Sequence, residues 1–107
     1  MIKVVITYQN LESNKVLSIE MSGHASSAPH GQDLVCAAAS AIIIGGINAI
    51  NDDKAFNYKV EEGHVLIEGN DKLMNSKDEI VLSTIVAQLK TIEHDYAKFI
   101  KIEERIH

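Results

Sequence analysis

Residues 34–50 read LVCAAASAIIIGGINAI, a run of 17 residues that carries no formal charge. Its length is at the lower limit for a helix that crosses a membrane. Ser40, Asn48 and the adjacent Gly45 and Gly46 interrupt it, however, and alanine, which provides little hydrophobic driving force, fills five of the positions. We therefore predict a buried helix of a soluble protein, apolar on nearly all sides and covered on more than one of them.

Alternating apolar residues before this helix predict a hairpin of two strands. The first strand includes Ile2 to Tyr8, and the second runs from Val16 to Met21. Residues Ser22 to Gln32 show no periodicity and contain Gly23, Pro29 and Gly31, so we expect a loop there. Asp33 then serves as the predicted N-cap of a helix over residues 34–50, which the acidic turn at residues 51–53 ends.

The second half of the chain repeats the alternation of strands and a helix. Phe56 to Glu61 and the segment at Val65 and Ile67 predict another hairpin, which turns at Glu62 and Gly63. A second helix is expected over Ser76–Tyr96, because Ser76 and Glu79 have the spacing of a capping box. Ile100, Ile102 and Ile106 share one face of a last strand.

This order, ββαββαβ, predicts an α+β fold in which two helices pack on a five-stranded, largely antiparallel or mixed sheet. The chain has 107 residues and a mass of 11.8 kDa, so we expect a single domain over residues 1–107. Both helices could lie on one face of the sheet, or one on each face.

The composition excludes several classes of protein. Ten basic residues oppose fifteen acidic ones, and the formal charge of −5 argues against direct binding of nucleic acid. One cysteine cannot form an internal disulfide and fits a reducing compartment. With no export signal at the start of the chain, we expect a cytoplasmic protein.

Residues 22–40, SGHASSAPHGQDLVCAAAS, contain the side chains that could carry chemistry. With Asp33 as the N-cap, Cys36 would lie in the first helical turn. The partial positive charge and unpaired amides of a helix start favour a thiolate over a thiol. The amide of Cys36 and neighbouring loop amides could then hold a developing oxyanion.

His24 is the natural proton acceptor for this thiol. It lies twelve positions before Cys36, a separation that a loop between a strand end and a helix start can close. In a cysteine hydrolase the imidazole takes the thiol proton and later returns a proton to the leaving amine. Gly23 would leave space for a substrate backbone beside His24.

Other interpretations of the same residues stay open. Cys36 could be a buried structural residue and His24 a turn or capping residue. Asp33 could be a plain N-cap or a group that orients His24, and Ser40 could bond back to the carbonyl of Cys36. The protein would then be a binding module without enzymatic activity.

A metal-dependent hydrolase is a further alternative, because four residues of the segment are potential metal ligands: His24, His30, Asp33 and Cys36. Their spacing matches no zinc signature, so we predict no metal and no other cofactor.

Two motifs in this segment resemble the ribosomal-processing cysteine protease family, Prp. The first is Gly23-His24-Ala25, and the second is GQDLVCAAAS over residues 31–40. They occur in the family's order and at its separation. The N-terminal MIKVVI strand and the chain length agree with the family as well, so the resemblance covers essentially the whole chain.

The resemblance implies a cytoplasmic bacterial homodimer that acts as a cysteine endopeptidase. Its substrate would be the short N-terminal extension of the twenty-seventh protein of the large ribosomal subunit, cut behind aromatic residues. The family's nucleophile falls on Cys36 and its catalytic histidine on His24; its other site positions fall on Gly23, Asp33 and Ser40. A homodimer also fits the apolar first helix, which a two-layer monomer would leave partly exposed.

Overall fold

The computed structural model describes residues 1–23, 30–50 and 54–107, with the backbone alone for residues 30–33. Five strands and two helices follow one another in the order ββαββαβ. They are β1 (Ile2–Tyr8), β2 (Val16–Ser22), α1 (His30–Ala49), β3 (Phe56–Glu61), β4 (His64–Gly69), α2 (Ser76–Tyr96) and β5 (Ile100–Ile106).

The strands form one mixed sheet in the order β3-β4-β2-β1-β5. All neighbours are antiparallel except β1 and β5, which run parallel with Ile2 opposite Ile100. The predicted α+β architecture is therefore confirmed, and the sheet is mixed because the last strand pairs with the first.

Both helices pack on the same face of the sheet. Ile2, Val4 and Ile6 of β1 are fully buried, whereas Lys3 between them is exposed. The buried strand residues share one core with two helical sets, Val35, Ala39 and Ile43 from α1 and Leu82, Ile85, Val86 and Leu89 from α2. The opposite face of the sheet is predominantly polar.

The structure differs from the sequence prediction at the starts of both helices. α1 begins at His30, so the helix starts before Asp33, and Asp33 is not its N-cap. In α2 the capping box is formed by Asn75 and Asp78, one residue earlier than the predicted pair of Ser76 and Glu79. In both helices an apolar pattern identifies the body, but the ends depend on backbone geometry that the pattern does not encode.

α1 ends at Ala49, and the acidic turn predicted at residues 51–53 lies outside the described residues. None of the helices within residues 30–50 and 54–107 is long and apolar enough to cross a membrane.

Candidate active site

The end of β2 is held in a conformation that only glycine adopts readily. Gly23 has a φ of +99°, and a Cβ built on it would collide with the carbonyl oxygen of Met1. Its N–H donates to the carbonyl of Gly63 at 3.0 Å, which continues the pairing of β2 with β4. The position where the chain leaves the sheet is thus fixed one residue before His24.

Cys36 lies on α1, in the second turn of the helix. Its side chain is half-buried and packs against the edge of the core, and it is the one cysteine of the chain. Because α1 begins at His30, Cys36 is not in the first turn as predicted. Only the first four amides of a helix lack an internal partner, so the Cys36 amide is not available as an oxyanion donor.

The earlier start of α1 also changes the position of Asp33. It lies within the first turn of the helix, one turn before Cys36 on the same side, since residues three apart on a helix are neighbours. A carboxylate near a helix N-terminus is favoured by the helix dipole. The side chain of Asp33 is outside the described part of the structure.

Ser40 follows Cys36 by one turn on the same side of α1 and is half-buried. Within the described residues its hydroxyl has no hydrogen-bond partner. Thr84 and Thr91 on α2, in contrast, donate to the carbonyls of Ile80 and Ala87, four residues earlier. The alternative in which Ser40 bonds back to the Cys36 carbonyl is therefore not observed among the described residues, and the hydroxyl remains available one turn from the thiol.

A half-buried flank runs along α1 and includes both residues: Cys36, Ser40, Ile44 and Ile47. The opposite flank, with Ala38, Ile42 and Gly46, faces α2, where a Cβ on Gly46 would collide with the side chain of Ile85. α2 in turn packs over β5 and β2. The flank with Cys36 consequently faces away from α2, toward the β3 side of the sheet.

The predicted partner of the thiol, His24, lies outside the described residues, as do the side chains of His30 and Asp33. The metal-dependent alternative rests on these three side chains together with Cys36. The part of the chain with described side chains contains no cluster of three metal-ligating groups.

One polar pair near the site was not predicted from the sequence. His64 is half-buried, and its Nε2 lies 2.7 Å from a carboxylate oxygen of Glu20. The two residues lie diagonally on neighbouring strands, because His64 is opposite Ser22 and Leu66 is opposite Glu20. A strand register would have been needed to identify this pair from the sequence.

Comparison with known families identifies the family to which this chain belongs. A model of the family described as cysteine protease Prp matches residues 1–101. The chain belongs to the Prp family. Prp enzymes are cysteine proteases, and so is this protein.

Relatives and solved structures from Staphylococcus aureus match over nearly the whole chain. The ribosomal processing cysteine protease Prp of Staphylococcus aureus strain Mu50 is 36% identical over 106 residues, which cover 95% of this chain and 97% of the relative. The S. aureus Prp in complex with a substrate peptide superposes with a TM-score of 0.85 at 34% identity, over 98% of this chain and 100% of that one. A second S. aureus Prp structure, with a covalently linked product peptide, has a TM-score of 0.82 at 35% identity, over the same shares of the two chains.

Proposed function

We propose that this Prp protease removes the short N-terminal extension of a large-subunit ribosomal protein, the twenty-seventh, in the cytoplasm. The S. aureus relative is a ribosomal processing protease, and its structure is known with a substrate peptide. The observation that carries the proposal is the half-buried, free thiol of Cys36 on the open flank of α1, in a chain that matches the family almost from end to end. Structural cysteines are typically buried and inert, whereas Cys36 is only half-buried.

The reaction is acyl transfer through a thioester. The imidazole of His24 accepts the thiol proton, and the sulfur of Cys36 attacks the carbonyl carbon of the scissile bond. When the C–N bond breaks, His24 donates its proton to the departing amine. Water, deprotonated by His24, then attacks the thioester, which releases the acid and restores the thiol. A covalently linked product peptide in the S. aureus relative supports a covalent intermediate.

Three other residues support this chemistry. Gly23 fixes the end of β2 one residue before His24 in the sequence. The hydroxyl of Ser40 lies one turn from the thiol and can donate a hydrogen bond to the developing oxyanion, a role that the Cys36 amide cannot fill within the helix. Asp33, one turn before Cys36, is the candidate to orient His24.

Cleavage of a synthetic peptide that copies the extended N-terminus of the ribosomal substrate tests the proposal. We expect the wild-type protein to cut it once, and Cys36→Ala and His24→Ala each to abolish cutting, as measured by mass spectrometry. Thr91→Ala, which removes a hydroxyl from the exposed side of α2, serves as the control and should cut normally. Cleavage by either of the first two variants would refute the assigned roles.

Alkylation of Cys36 by iodoacetamide separates the protease from the two alternatives. A nucleophile paired with His24 should react rapidly at neutral pH and slow down in His24→Ala. A thiol that reacts no faster in the wild type than in His24→Ala would favour the binding module. Protection that a chelator removes would favour the metal-dependent hydrolase.

We also propose that the protein is a homodimer. A groove of about 430 Å³ separates α1 from α2 and is lined mostly by apolar residues, among them Ala41, Gly45 and Ile80. Ile80 is 64% exposed, and Leu34 at the start of α1 is 56% exposed. A second copy of the chain would cover this surface, which a monomer leaves in contact with water.

A further inference from the structure

The two edges of the sheet, β5 and β3, are protected differently. At the β5 edge the N–H of Ile102 donates to a carboxylate oxygen of Glu93 on α2 at 2.6 Å. Lys90, also on α2, pairs with Glu104 at 3.1 Å, and the hydrogen bond with the Tyr8 hydroxyl, followed by that with Lys90, holds the pKa of Glu104 below its usual value. A side chain of α2 thus occupies one of the outward backbone groups of β5, and a second one holds a side chain of β5.

At the β3 edge, the register shows which backbone groups face outward. Gly23 donates to Gly63, so the odd-numbered residues of β4 bond to β2 and the even-numbered ones to β3. Their partners in β3 are Asn57, Lys59 and Glu61. Phe56 and Val60, which alternate with these residues, therefore direct N–H and C=O away from the sheet. No described residue hydrogen-bonds to these outward groups of Phe56 or Val60.

The open edge lies on the same side of the molecule as the candidate nucleophile. The flank of α1 with Cys36 and Ser40 faces away from α2 and toward β3. Val60 lies opposite the buried Val65, so its side chain is on the helix-bearing face of the sheet, yet it is 56% exposed. An apolar side chain that is exposed on the helix-bearing face at this strand edge is available for contact with a substrate.

We propose that the substrate peptide binds to β3 as a sixth strand of the sheet. The proposal rests on the proposed function, since the occupant is the N-terminal extension that the protease cuts. An extended peptide would pair with the outward groups of Phe56 and Val60, and this pairing holds its backbone alongside the flank with Cys36. Backbone pairing gives affinity that depends little on sequence, while Val60 provides an apolar contact for one side chain.

Methylation of single backbone nitrogens in the substrate peptide tests this pairing without altering the protein. In an added strand, every second amide faces β3 and the others face solvent. N-methylation of an amide that faces β3 should raise KM about threefold to tenfold, which corresponds to the loss of one backbone hydrogen bond. N-methylation of an amide that faces solvent should have little effect on KM. Effects limited to the residues beside the cut bond, without this alternation, would overturn the proposal.

A proline substitution on each edge gives a matched pair of protein variants. Val60→Pro removes an outward N–H without removing a bond to β4, whereas Ile106→Pro removes an outward N–H on the β5 edge. Val60→Pro should raise KM about threefold to tenfold, and Ile106→Pro should leave it unchanged. Equal effects of the two variants would contradict the proposal, and circular dichroism establishes that both are folded.

Hydrogen exchange tests strand addition even if Val60→Pro fails to fold. In Cys36→Ala, which binds peptide without cutting it, the amide of Val60 should exchange more slowly once the peptide is added. Unchanged exchange at saturating peptide would refute strand addition. If the wild-type protein does not cut the peptide at all, the proposed function itself fails; if it cuts without these signatures, only strand addition fails.

Discussion

At the scale of single residues, the chemistry depends on where α1 starts. Because the helix begins at His30, the amide of Cys36 lies inside it and cannot bind an oxyanion. The hydroxyl of Ser40, one turn further on, has no partner among the described residues and lies on the same flank as the thiol. We infer that it takes over part of this task.

Ser40→Ala should therefore lower kcat about tenfold or more with little change in KM, because a donor to the oxyanion acts mainly in the transition state. Ser40→Thr, which retains the hydroxyl, should recover part of the loss. Steady-state kinetics on the substrate peptide measure both effects. If Ser40→Ala instead lowers the melting temperature and leaves kcat unchanged, Ser40 has only a structural role.

At the scale of secondary-structure elements, the start of α2 allows a quantitative test of the corrected cap. The side chain of Asn75 accepts from the amide of Asp78, and Asp78 accepts from the amide of Asn75 in return. Asn75→Ala should lower the free energy of unfolding by about 1 kcal/mol. Ser76 is the residue that the sequence pattern favoured as half of the capping box. Ser76→Ala should lower the free energy of unfolding by much less than Asn75→Ala does, and urea denaturation measures both changes. A larger loss in Ser76→Ala would contradict the observed cap.

The same elements show how far the sequence could predict the structure. Alternation at Ile2, Val4 and Ile6 identified the buried face of β1, since side chains of a strand alternate between its faces. No local pattern, however, indicates that β1 pairs in parallel with a strand almost a hundred residues away. The pair of Glu20 and His64 depends on the register of β2 with β4, and the open edge at Val60 depends on the position of β3 at the end of the sheet, so the sequence could not predict them either.

Among the motif residues, too, some features could be predicted from the sequence and others could not. The position of Cys36 on a helix after a strand and loop was predictable from the apolar run that follows it. The availability of the Ser40 hydroxyl was not, because Thr84 and Thr91 show that such a hydroxyl on a helix often bonds back to the preceding turn. Only the folded structure distinguishes the two cases.

At the scale of the whole molecule, the two faces differ. The face of the sheet without helices is predominantly polar, whereas the helix-bearing side has an apolar groove between α1 and α2. Covering this groove with a second copy would bury Ile80 and leave the polar face of the sheet in solvent. The edge at β3 lies on the flank of α1 opposite the groove, so dimer formation and substrate binding can use separate surfaces.

Sedimentation at micromolar concentration should then show a species of twice 11.8 kDa. Ile80→Glu places a charge in the groove and should shift the protein toward the monomer. Ser83→Glu adds the same charge to α2 outside the groove and serves as the control. A wild-type protein that sediments only as the 11.8 kDa monomer would refute the homodimer.

The parallel pairing of β1 with β5 has a consequence for folding during translation. β5 (Ile100–Ile106) is synthesised almost a hundred residues after β1 (Ile2–Tyr8), beside which it lies. Until β5 has emerged from the ribosome, one edge of β1 has no partner strand. A nascent chain that lacks β5 therefore exposes a strand edge that the folded protein covers.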